Sequence, residues 1–124
     1  MFKVAIVEDS IKDFTLLKSY LEQYEKENNI EFNIQCFENG IRFLDKFSAN
    51  YDIIFMDIDM PYMNGISVMN KFSKIKGFDT KVILLTKNSN IIYDDIYKDS
   101  GFSDYIIKPI DKDDLMNKIN KYLK

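Results

Sequence analysis

One pattern narrows the fold of this chain more than any other: short apolar runs alternate with helix-period segments along its whole length. Phe2–Val7 is an apolar run that ends in Glu8-Asp9. Phe14, Leu17, Leu21 and Tyr24 then recur at spacings of three, four and three, which line one face of a helix. Ser10 can cap that helix, with Asp13 in the first turn, where a negative charge is favoured. Phe32, Ile34 and Cys36 alternate with polar residues, as in a half-exposed strand. Ile41, Leu44 and Phe47 mark a second helix that starts at Asn39-Gly40. Ile53–Met56 is continuously apolar, like a strand covered on both faces. After a loop at Pro61 and Asn64-Gly65, Ile66, Met69 and Phe72 mark a third helix. Val82–Leu85 is a fourth strand, Ile92 and Ile96 with their tyrosines a less regular fourth helix closed by Gly101, and Tyr105–Ile107 a fifth strand. Asp111 caps a last helix through Leu115, Ile119 and Tyr122. Five strand–helix repeats in 124 residues predict a single α/β domain over residues 1–124. The arrangement is a doubly wound (βα)5 domain, a parallel five-stranded sheet with right-handed crossovers and helices on both faces.

In such a sheet the ligand site lies beyond the carboxyl ends of the strands. Strand 1 ends in Glu8-Asp9, strand 3 in Asp57, strand 4 in Thr86 and strand 5 in Lys108-Pro109. Three carboxylates, a hydroxyl and an ammonium therefore share one rim. Clustered carboxylates repel one another and suit a hard cation such as Mg²⁺, which also recruits phosphate oxygens. A lysine at the same point makes sense if an anion arrives beside the metal. Together they point to a phosphoryl group, with Asp57 as its acceptor, because carboxylates form aspartyl-phosphates. Phosphoryl transfer needs positioning and charge neutralisation more than acid–base groups. Each residue alone has an ordinary reading. Acidic pairs at strand ends start turns, threonines cap and lysines are solvated. Only their joint placement is specific. Cys36 is expected to pack as a small apolar strand residue.

Composition removes whole classes of function. The chain has no histidine, which excludes imidazole acid–base chemistry, His-ligated zinc and Ser-His-Asp triads. Cys36 is the only cysteine, so it has no partner for an internal disulfide. Neither a GxGxxG nor a GxxxxGK[ST] phosphate loop occurs. The net charge of −3 argues against this chain alone holding a nucleic acid. No apolar run approaches the ~18–20 residues of a membrane span, and the N-terminus lacks the parts of a signal peptide. A cytoplasmic protein with no membrane partner is the expectation.

The chain resembles the receiver domains of two-component response regulators over essentially its whole length. The resemblance rests on Val4-Ala5-Ile6-Val7-Glu8-Asp9, on Asp57-Ile58-Asp59-Met60-Pro61-Tyr62-Met63-Asn64-Gly65, on Val82-Ile83-Leu84-Leu85-Thr86 and on Gly101-Phe102-Ser103-Asp104-Tyr105-Ile106-Ile107-Lys108-Pro109. The D-x-x-M-P-x-M-x-G segment is the most specific of these. The resemblance implies the flavodoxin-like strand order 2-1-3-4-5. It implies that Asp57 is the phosphoacceptor, since Asp59 fails the D-x-x-M-P spacing. Glu8, Asp9 and Asp57 would hold Mg²⁺, with the backbone carbonyl of Asp59. Lys108 would pair with phosphoryl oxygens, and its bond to Pro109 would be cis. Thr86 would be the switch hydroxyl and Tyr105 the switch aromatic, biasing the helix 4–strand 5–helix 5 face between two states.

A sensor histidine kinase is the implied phosphate donor, and the domain is a signalling module, not an enzyme. Output would be transcription, through a DNA-binding domain absent from this chain, or protein–protein binding and phosphorelay by a stand-alone receiver. The D-I-D-M-P-Y-M-N-G-I wording resembles the input domains of LytTR-type regulators. A degenerate receiver that only binds, or a small phosphatase with Asp57 as nucleophile and Asp59 as acid–base, are the rival readings. The strand 1 acids and Lys108-Pro109 favour the receiver. Lys87 departs from the small residue usual after the switch threonine. The segment Ile91-Ile92-Tyr93-Asp94-Asp95-Ile96-Tyr97 carries more apolar residues than one buried stripe needs, which would suit a homodimer through the same face.

Overall fold

The computed structural model describes residues 1–45, 51–60, 63–72, 74 and 80–123. In chain order the elements are β1 (Phe2–Val7), α1 (Ile11–Asn28), β2 (Phe32–Phe37), α2 (Gly40–Asp45), β3 (Ile53–Asp57), α3 (Gly65–Phe72), β4 (Lys81–Thr86), α4 (Asp95–Ser100), β5 (Asp104–Ile107) and α5 (Lys112–Leu123). A single 3₁₀ turn, Ile91–Tyr93, precedes α4, so the fourth helical segment is broken as its weak periodicity suggests. The strands form one parallel sheet in the order β2-β1-β3-β4-β5.

The β-strand period of two divides the core into two layers. Val4 and Ile6 point with Ile53, Phe55, Ile83 and Leu85 toward α1 and α5, where Leu17, Leu21, Leu115 and Ile119 cover them. Ala5 and Val7 point with Ile54, Met56 and Val82 the other way, toward Phe43 of α2 and Val68, Met69 and Phe72 of α3. Every residue of β3 is buried, as its unbroken apolar run requires. On the first face α1 and α5 are tied by Tyr24, whose hydroxyl donates to Asn120 Oδ1 at 2.6 Å.

Caps fix where the helices begin. Ser10 Oγ accepts the Asp13 N–H, Asn39 Oδ1 accepts the Arg42 N–H, and Asp111 Oδ2 accepts the Asp114 N–H. Gly101, with φ at 99°, turns the chain out of α4 in a conformation that favours glycine.

Three expectations about packing are corrected. Helix α2 turns Gly40 and Phe43 inward and leaves Ile41 exposed. The reason is close approach: a Cβ on Gly40 would lie 2.2 Å from Val68 Cγ2, so α2 meets α3 there. Phe43, one turn on, then fills the space between Phe37 and Phe72, with ring centroids 5.4 and 5.1 Å away. Phe47 lies outside the described residues, as do Pro61 and Tyr62. In α3 the buried stripe is Gly65, Val68, Met69 and Phe72, with Ile66 only half-buried. Cys36 is exposed and not packed. It sits near the end of edge strand β2, where a cavity of about 560 Å³, lined in part by Ile11, Phe14 and Cys36, separates the sheet from the first turn of α1.

Candidate functional site

Register places the functional groups. Val7 pairs with Met56, Met56 with Leu84 and Leu84 with Tyr105, so β1, β3, β4 and β5 reach the same level at their carboxyl ends. Glu8 and Asp57 are each the next residue along, and they emerge side by side. Thr86 pairs with Ile107, and Lys108 follows directly, with its N–H donating to the Thr86 carbonyl at 2.7 Å. The peptide bond from Lys108 to Pro109 is cis, as the family resemblance implies.

The geometry is set by one buried lysine. Lys108 Nζ donates to Glu8 Oε2 at 2.8 Å and to Asp13 Oδ2 at 2.9 Å, and stands 3.5 Å from Asp57 Oδ1. Glu8 and Asp57 are buried, and Asp9 and Asp59 are exposed at the rim. Carboxylate oxygens of Glu8, Asp9 and Asp57 lie within 4.8 Å of one another. That is a hard, all-oxygen donor set of the kind that Mg²⁺ takes, with Asp9 open to solvent for the remaining water ligands. The residues present therefore fit a bound Mg²⁺.

Asp57 is held from behind by its own loop. The Asp59 N–H donates to Asp57 Oδ1 at 3.2 Å, the Ile58 N–H to the Leu85 carbonyl at 3.0 Å and the Gly65 N–H to the Ile58 carbonyl at 3.0 Å. Gly65 is required by close approach, since a Cβ there would lie 2.5 Å from the Asp57 carbonyl oxygen. A cavity of about 220 Å³ opens over the site, lined by Asp9, Ser10, Asp13, Asp57, Asp59, Lys87 and Lys108. Lys87 thus belongs to the mouth of the site.

Electrostatics follow from burial and neighbours. Burial, then the hydrogen bonding and charge of Glu8, push Asp57 up to about 7, with Lys108 pulling the other way. Burial opposes the charge on Lys108. The hydrogen bonds to Glu8 and Asp13 and the charge of Asp57 more than reverse this, and hold Lys108 above its ordinary range. Asp13 is lowered, first by its hydrogen bond to Lys108 and also by the charges of Lys108 and Lys87.

The sequence reading of Asp13 as a first-turn residue missed its second role. It is one turn into α1 from the Glu8-Asp9 pair, and the start of α1 lies over the rim, so its position in the helix was the available signal. Thr86 is buried, and its hydroxyl accepts the Asn88 N–H at 3.0 Å. Tyr105 is half-buried, edge-on to Tyr97 at 6.4 Å, with Lys118 Nζ 4.7 Å from its ring centroid. Tyr97 in turn stacks on Phe102 at 5.8 Å. The side chains of Ile92 and Ile96, on which the expected apolar surplus partly rests, lie outside the described residues; Tyr93 is 72% exposed.

The sequence profile described as "Response regulator receiver domain" matches residues 4–120. The chain belongs to that family. Among relatives, the receiver is 32% identical to the response regulator ArlR of Staphylococcus aureus over 126 residues, covering all of this chain and 53% of ArlR. It is 30% identical to the transcription factor SKN7 of Candida albicans, covering 98% of this chain and 21% of SKN7. The chain thus spans from about a fifth to about half the length of these relatives. Among solved structures, the response regulator TrrA of Thermotoga maritima, in complex with Mg²⁺-BeF, superimposes with a TM-score of 0.83 at 32% identity over 98% of this chain and 99% of TrrA. The receiver has the flavodoxin-like fold and strand order of its family. Among its described residues no helix is long and apolar enough to cross a membrane.

Proposed function

We propose that this receiver accepts a phosphoryl group on Asp57 from a sensor histidine kinase and passes the change to an output through its α4–β5–α5 face. The supporting observation is the joint placement of a buried carboxylate, an acidic triad and a buried ammonium at one point: Asp57 with Glu8, Asp9 and Lys108. An Asp57 carboxylate oxygen attacks phosphorus as the bond from phosphorus to the donor nitrogen or oxygen breaks. The leaving group keeps that electron pair, and no proton need leave Asp57 once it is ionised. Glu8, Asp9 and Asp57 would hold Mg²⁺ with their carboxylates, aided by the Asp59 carbonyl. When bound, the cation neutralises charge on the phosphoryl oxygens and draws Asp57 toward its ionised form. Lys108 supplies the remaining positive charge. The buried position of Asp57 keeps bulk water from one side of the acyl phosphate, while Asp59 and Lys87 stand at the mouth where hydrolytic water enters.

Output follows from volume. Thr86 would give up its bond from the Asn88 N–H and turn its hydroxyl to a phosphoryl oxygen, and Tyr105 would move into the vacated space. Tyr105 lies between Tyr97 and Lys118. Its movement would therefore rearrange α4 and α5 together, and a second copy of that face is the simplest partner. The match to about a fifth of the transcription factor SKN7 favours control of transcription by a DNA-binding domain elsewhere in the protein; a stand-alone receiver in a phosphorelay uses the same site.

Intact-mass measurement after incubation with acetyl phosphate tests the proposal. Wild type with Mg²⁺ should gain one phosphoryl group, EDTA should abolish the gain, and Asp57→Asn should show none. A full adduct on Asp57→Asn defeats the assignment.

A further inference from the structure

Lys108 cannot give a phosphoryl group more than one hydrogen bond while it keeps both of its present partners. It makes hydrogen bonds to two carboxylates, Glu8 and Asp13, and its approach to Asp57 is longer than either. An ammonium has three donors. Two are committed to Glu8 and Asp13, so a phosphoryl group on Asp57, with its larger charge and several acceptor oxygens, can engage more than the third only if one of the present bonds yields.

The two are not equal. The Glu8 side chain is 0% exposed, so water does not replace a lysine bond it loses, and a bound Mg²⁺ would have to support that carboxylate instead. The Asp13 side chain is 23% exposed, on the first turn of an 18-residue helix whose N-terminus favours its charge. Water and the helix end can support Asp13 if the lysine leaves. A second cation is also at hand. Lys87 lines the same cavity as Asp13 and Lys108, is exposed, and is close enough for its charge to help hold Asp13 ionised.

We propose that Asp13 is a positioning residue that parks Lys108 in the resting receiver, and that Lys87 replaces Lys108 at Asp13 when Lys108 turns to the phosphoryl group. This rests on the phosphoacceptor reading above and deepens it. The exchange makes resting Lys108 costly to recruit and makes Lys87 part of the activated state, not a bystander at the mouth. Neither residue would touch the reacting atoms; both act through Lys108.

The test is a double-mutant cycle on Asp13 and Lys87, read as the affinity for beryllofluoride with saturating Mg²⁺. Asp13→Asn should bind beryllofluoride about 3–10-fold more tightly, a gain of roughly one charged hydrogen bond no longer broken. Lys87→Gln should weaken binding about 2–5-fold in wild type, and less than 1.5-fold on the Asp13→Asn background. Unchanged or weaker binding by Asp13→Asn overturns the parking role. Full additivity of the two changes overturns the exchange, because Lys87 would then act on the phosphoryl group without Asp13. A nitrogen-15 NMR shift of the Lys108 ammonium separates parking from a general field. In unliganded Asp13→Asn it should move part-way toward its beryllofluoride-bound value, and an unmoved signal sinks the proposal. If wild type itself binds no beryllofluoride, the phosphoacceptor reading fails first; if wild type binds and Asp13→Asn matches it, the parking and the exchange fail together while the phosphoacceptor reading stands.

Discussion

Replacing Asp57 with asparagine should stabilise the metal-free receiver, and the gain should depend on pH. Asp57 is 3% exposed and stands against Glu8, and its acidity is shifted from 3.8 to about 7. Its folded-state value lies above its unfolded one, so folding favours the protonated acid. The contribution is complete below about pH 4 and is lost as pH rises through about 7. At about 1.4 kcal/mol per pH unit, the full loss by neutral pH is about 4 kcal/mol. Asparagine removes that loss and still accepts from the Asp59 N–H. It forgoes the attraction of Lys108 at 3.5 Å, which returns part of the gain. A net stabilisation of about 1–3 kcal/mol remains at pH 7.5, or roughly 4–12 °C in melting temperature for a domain of this size. The assay is thermal unfolding of wild type and Asp57→Asn in EDTA from pH 5 to 8. The gap should widen with pH, and millimolar Mg²⁺ should narrow it by stabilising wild type through binding. A variant that melts below wild type in EDTA at pH 7.5, or a gap that is flat across the range, would refute the reasoning.

Gly65→Ala forces a Cβ to within 2.5 Å of the Asp57 carbonyl, backbone that cannot rotate away, and should cost about 1–3 kcal/mol in urea unfolding while slowing phosphorylation by acetyl phosphate. Tyr24→Phe removes the 2.6 Å bond to Asn120 between α1 and α5 and should cost about 1 kcal/mol by the same measurement, with beryllofluoride affinity unchanged. Thr86→Ala should accept phosphate on Asp57 yet associate less than wild type when beryllofluoride is added, as read by sedimentation; equal association with and without beryllofluoride in both proteins excludes the dimer as output.

Much of the fold was legible because period and burial agree. The unbroken apolar run of β3 and the three-four-three spacing of α1 each admit one reading, and five such repeats leave one architecture. Packing between helices was not legible in the same way. Ile41 looked like a core residue because it is apolar and correctly spaced, but Gly40 sets how α2 meets α3 and hands the buried position to Phe43. Cys36 shows the limit of strand alternation, which names a face but not whether a helix reaches far enough to cover it. At the site, Glu8, Asp57 and Lys108 could be placed together because parallel strands bring their carboxyl ends to one rim. Asp13 could not be assigned to Lys108 from sequence. The two residues are 95 positions apart, and their pairing depends on how the first turn of α1 tilts over the rim. The resting bond of Thr86 to the Asn88 N–H depends likewise on a local turn that the motif does not specify.

The most direct test of the central claim is chemical trapping of the phosphorylated residue. Acyl phosphates are reduced by borohydride, which would convert a phosphorylated aspartate to homoserine. After treatment with acetyl phosphate and Mg²⁺, borohydride reduction and peptide mapping should find homoserine at position 57 in wild type and none when EDTA replaces Mg²⁺. Homoserine at position 59 or 9 with Asp57 unmodified would contradict the account.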